Sequence, residues 1–171
     1  MRNKGRIKMT IYIIIAIVLV AGFMANRANS RIREHVKSET VKLEAGVKTP
    51  IILTENGEKL KGYLYDTPQA KEFMTLLPMT VSMSYWGHDF CGGKFSLKYD
   101  KNDEITGYNN GNIVYWTPKN QLALFVGGDN NHLLFMYTHN VILGKLDESQ
   151  ERMDNLKGSF DITVDLVRNN N

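Results

Sequence analysis

Several residue types are scarce in this 171-residue chain, and each scarcity closes off a class of function. Cysteine occurs once, at Cys91, so an internal disulfide cannot form and a cysteine-based metal site cannot be assembled. The residues around it, Phe90, Gly92 and Gly93, match no thiol-enzyme pattern, which leaves Cys91 as a small, part-buried apolar residue. Arginine is absent between Arg33 and Arg152, so the middle of the chain has no guanidinium with its fixed fork of donors. The glycine pairs Gly92-Gly93 and Gly127-Gly128 lack the spacing and following helix of a phosphate-binding loop. No serine, histidine and aspartate grouping has the context of a nucleophile elbow. His88, His132 and His139, with Asp89 and Asp129, show no short ligand spacing, so neither a metal nor another cofactor is expected.

Charge of one sign is also missing where it would matter for nucleic acid. The formal net charge is +3, but residues 1–45 carry nine basic and three acidic side chains, while residues 46–171 carry twelve basic and fifteen acidic ones. The basic excess belongs to the N-terminal segment, and the mildly acidic remainder gives no reason to expect nucleic acid as a partner.

What is present begins with a membrane-directed segment. Residues 1–8 form a basic flank with Arg2, Lys4, Arg6 and Lys8, followed at 9–25 by an uncharged, mostly apolar run. Seventeen residues at 1.5 Å rise reach about 25 Å, within the range of spanning helices. Ending at Ala25 would put Phe23 third from a cleavage site, and ending at Ala28 would put Asn26 there, so an uncleaved signal anchor is favoured over secretion after cleavage. The denser positive flank precedes the run, which puts residues 1–8 in the cytoplasm and the rest outside, in a single pass of the cell membrane. Residues 26–48 read as a polar stalk, helical at best in part, with Ile32, Val36 and Leu43 too sparse to bury much.

A domain is expected over residues 49–168, with 169–171 as a frayed tail. Its first element is a hairpin around Asn56-Gly57, a pair that suits a type I′ turn. A helix follows from Pro68, capped by Asp66 or Thr67, with Ala70, Phe73, Leu76 and Leu77 on one face, ending at Pro78. Residues 79–86 alternate as a strand, and a long glycine-containing connection runs on to residue 111. From Gly111 to Leu146 come three or four apolar runs separated by polar turns, the pattern of closely connected buried strands. A short helix capped by Asp147 and a last strand with Phe160, Ile162, Val164 and Leu166 inward complete the order.

That order and the strings GYLYDTPQAKEFMTLLPMTVSM, GNIVYWTPKNQLALF and VILGKLDES resemble the bacterial cyclophilin-like fold domains, small domains of mostly unassigned function distantly related to cyclophilins. The resemblance implies a mainly β structure, a closed antiparallel barrel of about eight strands with two short helices. It also implies a comparison with the proline isomerases. NQLALF is similar to the cyclophilin strand that carries a pocket Gln and a wall Phe, matching Gln121 to the first and Ala123 to the second. NVILGKL matches at Gly144-Lys145 and has Asn140 where the pocket His stands, with His139 one residue away. The pocket Arg has no counterpart, and Lys94 is a point charge that cannot replace its fork.

The reading is therefore of a monomeric, membrane-anchored extracytoplasmic binding module for a peptide or small ligand, without catalytic residues. Its expected groove is flanked by Trp86, Phe90, Trp116, Gln121, Phe125, Phe135, His139 and Asn140. The alternative is a degenerate or altered prolyl isomerase using His139 and Asn140.

Overall fold

The runs between Gly111 and Leu146 are apolar at nearly every position, whereas the flanking runs at 48–55 and 159–166 alternate. A strand buried on one face alternates, and a strand buried on both does not. The computed structural model, which describes residues 3–127 and 136–168, contains both kinds. Eight strands close into an antiparallel barrel: β1 (Lys48–Glu55), β2 (Glu58–Tyr65), β3 (Met79–Tyr85), β4 (Asp89–Gly92), β5 (Asn112–Trp116), β6 (Gln121–Phe125), β7 (Asn140–Leu146) and β8 (Ser159–Leu166). Their order around the barrel is β1-β2-β7-β5-β6-β4-β3-β8. The expected hairpin is β1–β2, with Asn56 and Gly57 both at positive φ, 47° and 85°, as its turn chemistry requires. The last strand pairs with β1 and β3, closing the sheet. The run at 132–137 lies largely outside the described residues.

Inward side chains of all eight strands form the barrel interior, including Leu53, Leu64, Val81, Phe90, Ile113, Leu122, Leu143 and Ile162. Two short helices, α2 (Pro68–Met74) and α3 (Gln150–Asp154), add Ala70, Phe73 and Met153 to the same cluster, reaching it through the barrel ends because the wall is closed. Thr67 caps α2 by accepting from the Ala70 amide at 3.1 Å. Ser149, and not Asp147, caps α3.

The second buried face belongs to β5, β6 and β7. Val114, Ala123, Phe125 and Ile142 point outward and join Tyr65 and Tyr108 in a separate cluster. Its cover includes a helix that runs through most of the segment expected as a polar stalk. The first helix, α1 (Asn3–Glu44), is continuous, and its C-terminal half lies on the barrel. Asn29, Ile32, Val36, Thr40 and Leu43 recur at spacings of three and four residues on the buried side, and Val36 is fully buried. The expectation that these residues bury little is corrected, because a single stripe needs only one apolar or small polar residue per turn when the opposing surface is itself apolar. Polar contacts fix the position: Asn109 donates to Thr40 Oγ1 at 2.8 Å, and Lys145 donates to the Glu44 carboxylate at 3.1 Å.

Candidate functional site

On β3 and β4, interior residues alternate with outward ones: Val81 and Met83 point in, Ser82 and Ser84 point out; Phe90 points in, Asp89 and Cys91 point out. Registers of Ser84 with Cys91 and of Cys91 with Ala123 align these outward residues side by side with those of β6. The result is a groove of about 620 Å³ on the outer barrel face. Its floor is made of small or polar groups, Ser82, Ser84, Asp89, Cys91, Gly92 and Ala123. Trp86, Trp116, Lys119, Met136 and Tyr137 are also part of its lining. Trp86 is 69% exposed and Met136 65%, so both have large apolar surfaces open to whatever enters.

Several of the expected residues are brought together here: Trp86, Trp116, Gln121, Phe125 and Asn140 line the groove. Phe125 is nearly covered, since Tyr108 stacks on it at 4.0 Å and Tyr137 meets it edge-on at 5.6 Å. The Asn140 amide donates to the carbonyls of Gly107 at 3.0 Å and Tyr137 at 3.3 Å, so it holds backbone in place. Phe90 is a correction: it is fully buried inside the barrel, packed on Phe160 at 4.7 Å, because strand alternation turns it opposite to Asp89. The alternation expected over 79–86 would set Tyr85 and Trp86 on opposite faces, yet both are exposed, since β3 ends at Tyr85 and the chain turns at Gly87. Phe135 lies outside the described residues.

His139 is not on the groove. It borders a separate shallow depression with Tyr99, Lys101, Glu104, Thr117 and Pro118. Its Nδ1 lies 2.7 Å from Glu104 Oε2, while Thr117 donates to Glu104 Oε1 at 2.8 Å. Hydrogen bonding from His139, with further help from Thr117, outweighs burial and holds the Glu104 carboxyl below the usual carboxylate range. Together with the bridge between Ile105 and Asn140, this pins the 93–111 connection to the start of β7.

The groove also takes in Ser82, Ser84, His88, Asp89, Cys91, Lys119 and Tyr137, none of them among the residues expected to flank it. The alternation of 79–86 pointed to the two serines, but it carried no sign that their face would be open to a ligand. Asp89 is 6% exposed, and its Oδ2 accepts the Cys91 thiol at 2.9 Å. Burial raises the Asp89 carboxyl, against smaller opposing effects of the thiol and of His88. Burial, then the neighbouring Asp89 carboxylate, pushes the Cys91 thiol far up. The His88 Nδ1 is buried without a hydrogen-bond partner. Among the described residues no group of three histidine, cysteine or acidic side chains is placed to hold a metal.

No curated protein matches this sequence. Among solved structures, the chain is similar to a hypothetical protein of Archaeoglobus fulgidus, with a TM-score of 0.52 and 14% identity over 71% of this chain and 97% of that one. It is also similar to a cyclophilin-type peptidyl-prolyl cis-trans isomerase of Cryptosporidium parvum, with a TM-score of 0.47 and 14% identity over 72% and 99% of the two chains. The model of the cyclophilin-like family matches residues 53–165, the span of the barrel from within β1 to within β8. By that match and by its closed eight-stranded antiparallel barrel, the chain belongs to the cyclophilin-like family.

Proposed function

We propose that the protein is a membrane-anchored, extracytoplasmic binding module whose outer-face groove takes an extended peptide or small ligand and does not isomerise prolyl bonds at a cyclophilin's rate. The groove itself is the observation that carries this reading. It pairs a polar floor with exposed indole and thioether surface, the mixture of apolar wall and few polar anchors that ligand sites share. No arginine is among its lining residues, so the two-pronged donor that would stabilise a twisted prolyl amide has no source there. The altered-enzyme alternative has less support, because Asn140 is committed to backbone carbonyls and His139 borders a different depression.

Anchoring is supported by the helical run from Met9, which is long and apolar enough to cross a membrane and has exposed Ile, Leu and Val along it. The charge asymmetry around it favours the barrel outside. The test has two arms. Membrane fractionation with protease protection should put the barrel in the membrane fraction and on the outer side; recovery in the soluble fraction removes the anchor. Titration of the full chain with a panel of extended peptides, followed by the fluorescence of Trp86 and Trp116, should give saturable changes, while an X-Pro isomerisation assay stays near the uncatalysed rate. Cyclophilin-like turnover would overturn the binding-only reading.

A further inference from the structure

Asp89 is the one carboxylate on the groove lining among the described residues. The alternation that buries Phe90 inside the barrel turns Asp89 outward, and its neighbours then enclose it to 6% exposure. A carboxylate removed from water is ordinarily compensated by strong donors or a counter-ion. Asp89 has one weak thiol donor, at Oδ2, and a small favourable charge effect from His88, and no basic side chain forms an ion pair with it among the described residues. The groove's basic residue, Lys119, stands instead over the Trp116 ring at 5.8 Å from its centroid. A free acceptor thus lies at the floor, and the lining includes two indoles whose faces attract cations.

Resting on the groove reading above, we infer that Asp89 forms a cation subsite for the ammonium or guanidinium head of a Lys or Arg side chain in an extended peptide. The aliphatic stem lies along Trp86, whose backbone amide donates to the Asp89 carbonyl at 2.8 Å; there its methylenes lose water, and the head donates to the Asp89 carboxylate. The ligand supplies the compensation that the fold leaves out. Lys119 repels the same head and sets part of the threshold for entry.

The experiment uses the full chain in zwitterionic phosphatidylcholine nanodiscs, so that basic peptides do not collect on the lipid. Trp86 and Trp116 are the two tryptophans of the chain and report on binding directly. Three short extended peptides differ at one position, Lys, norleucine or Glu; free n-butylamine is the fourth probe. The Lys peptide should bind on the order of tenfold tighter than the norleucine peptide, with the Glu peptide weakest. In Asp89→Asn the Lys-to-norleucine ratio should fall close to one, and in Lys119→Met, an exposed substitution with no effect on the core, the ratio should rise. Equal binding of the three peptides, unchanged in both variants, overturns the cation subsite and leaves the groove reading standing. No fluorescence change with any probe overturns both. Butylamine binding as tightly as the Lys peptide would make the ligand a free amine and overturn the peptide assignment.

Discussion

Cys91 shows how a residue's chemistry is set by its neighbour. Its thiol sits 2.9 Å from the Asp89 carboxylate in a part-buried position, and both burial and that negative charge disfavour the thiolate. At pH 8 iodoacetamide should label it at least about tenfold more slowly than a free peptide thiol, since the thiolate is the reacting form. Asp89→Asn should speed labelling several-fold without restoring the free rate, because burial remains; labelling at the free-thiol rate in the native protein would contradict the contact. Glu104 shifts the other way. Its folded carboxyl is held below the ordinary value, so its contribution to stability is fully present above the unfolded carboxylate range and is lost as pH falls through that range and the folded value. Thermal unfolding of the native protein between about pH 6 and pH 3 should therefore lose more stability than Glu104→Gln does over the same interval. Parallel pH curves for the two would show that the pair with His139 does not form. The Glu104–His139 pair was not legible beforehand, since residues 104 and 139 are brought together by β-pairing around Ile105 and Asn140.

At the scale of elements, two packing relations carry the structure around the groove. Val36 is fully buried beneath the C-terminal half of α1, so Val36→Ala should cost about 1–2 kcal/mol and Val36→Asp roughly 3 kcal/mol or more. Urea unfolding of the barrel is the readout, and no change with Val36→Asp would mean that the helix is undocked in solution. Gly92 is the second case: a Cβ there would lie 2.0 Å from the Ser82 carbonyl oxygen, backbone of the adjacent strand. Gly92→Ala should therefore destabilise by roughly 2 kcal/mol or more and disturb the groove floor, because paired backbone cannot move aside as a flexible side chain can. Hairpin β1–β2, α2 and β8 were readable in advance, from turn chemistry, capping residues and clean alternation. The docking of α1 was not, because the stripe Asn29, Ile32, Val36, Thr40, Leu43 looks weak until the apolar surface opposite it is known.

Over the whole molecule, the continuity of α1 ties the groove-bearing barrel to the apolar segment. From Ala25, the end of the apolar run, to Asn29, the first buried residue of the docked half, is about 6 Å of helix rise. With the apolar run in a bilayer, the barrel is held close to the surface by a helix packed against it, with little free tether. The same packing makes the C-terminal half of α1 part of the folded unit. A fragment starting at Lys48 would uncover Tyr65, Tyr108, Val114 and Ile142, an apolar patch of the size that binds dyes and drives association. It should aggregate, whereas the full chain in detergent should stay monodisperse; a monomeric fragment that binds no ANS in detergent-free buffer would show that α1 is dispensable.

Chain order alone determined the hairpin, the last alternating strand and the apolar N-terminal run, because those signals are local: period-two alternation, turn-forming pairs, helix caps and unbroken hydrophobicity; the closed barrel followed from the resemblance of the ordered strings to cyclophilin-like domains. It also showed that no arginine separates Arg33 from Arg152. The tertiary structure decided what depends on which surfaces meet. It turned Phe90 inward, moved His139 to a separate depression, packed Ile32 and Leu43 of α1 against the outer cluster that holds Tyr65, Tyr108, Val114 and Ile142, and left Asp89 on a groove floor with one weak donor. Burial and partnering are properties of pairs of distant segments, and the continuous apolar runs of the middle strands announced a second covered face without naming its cover.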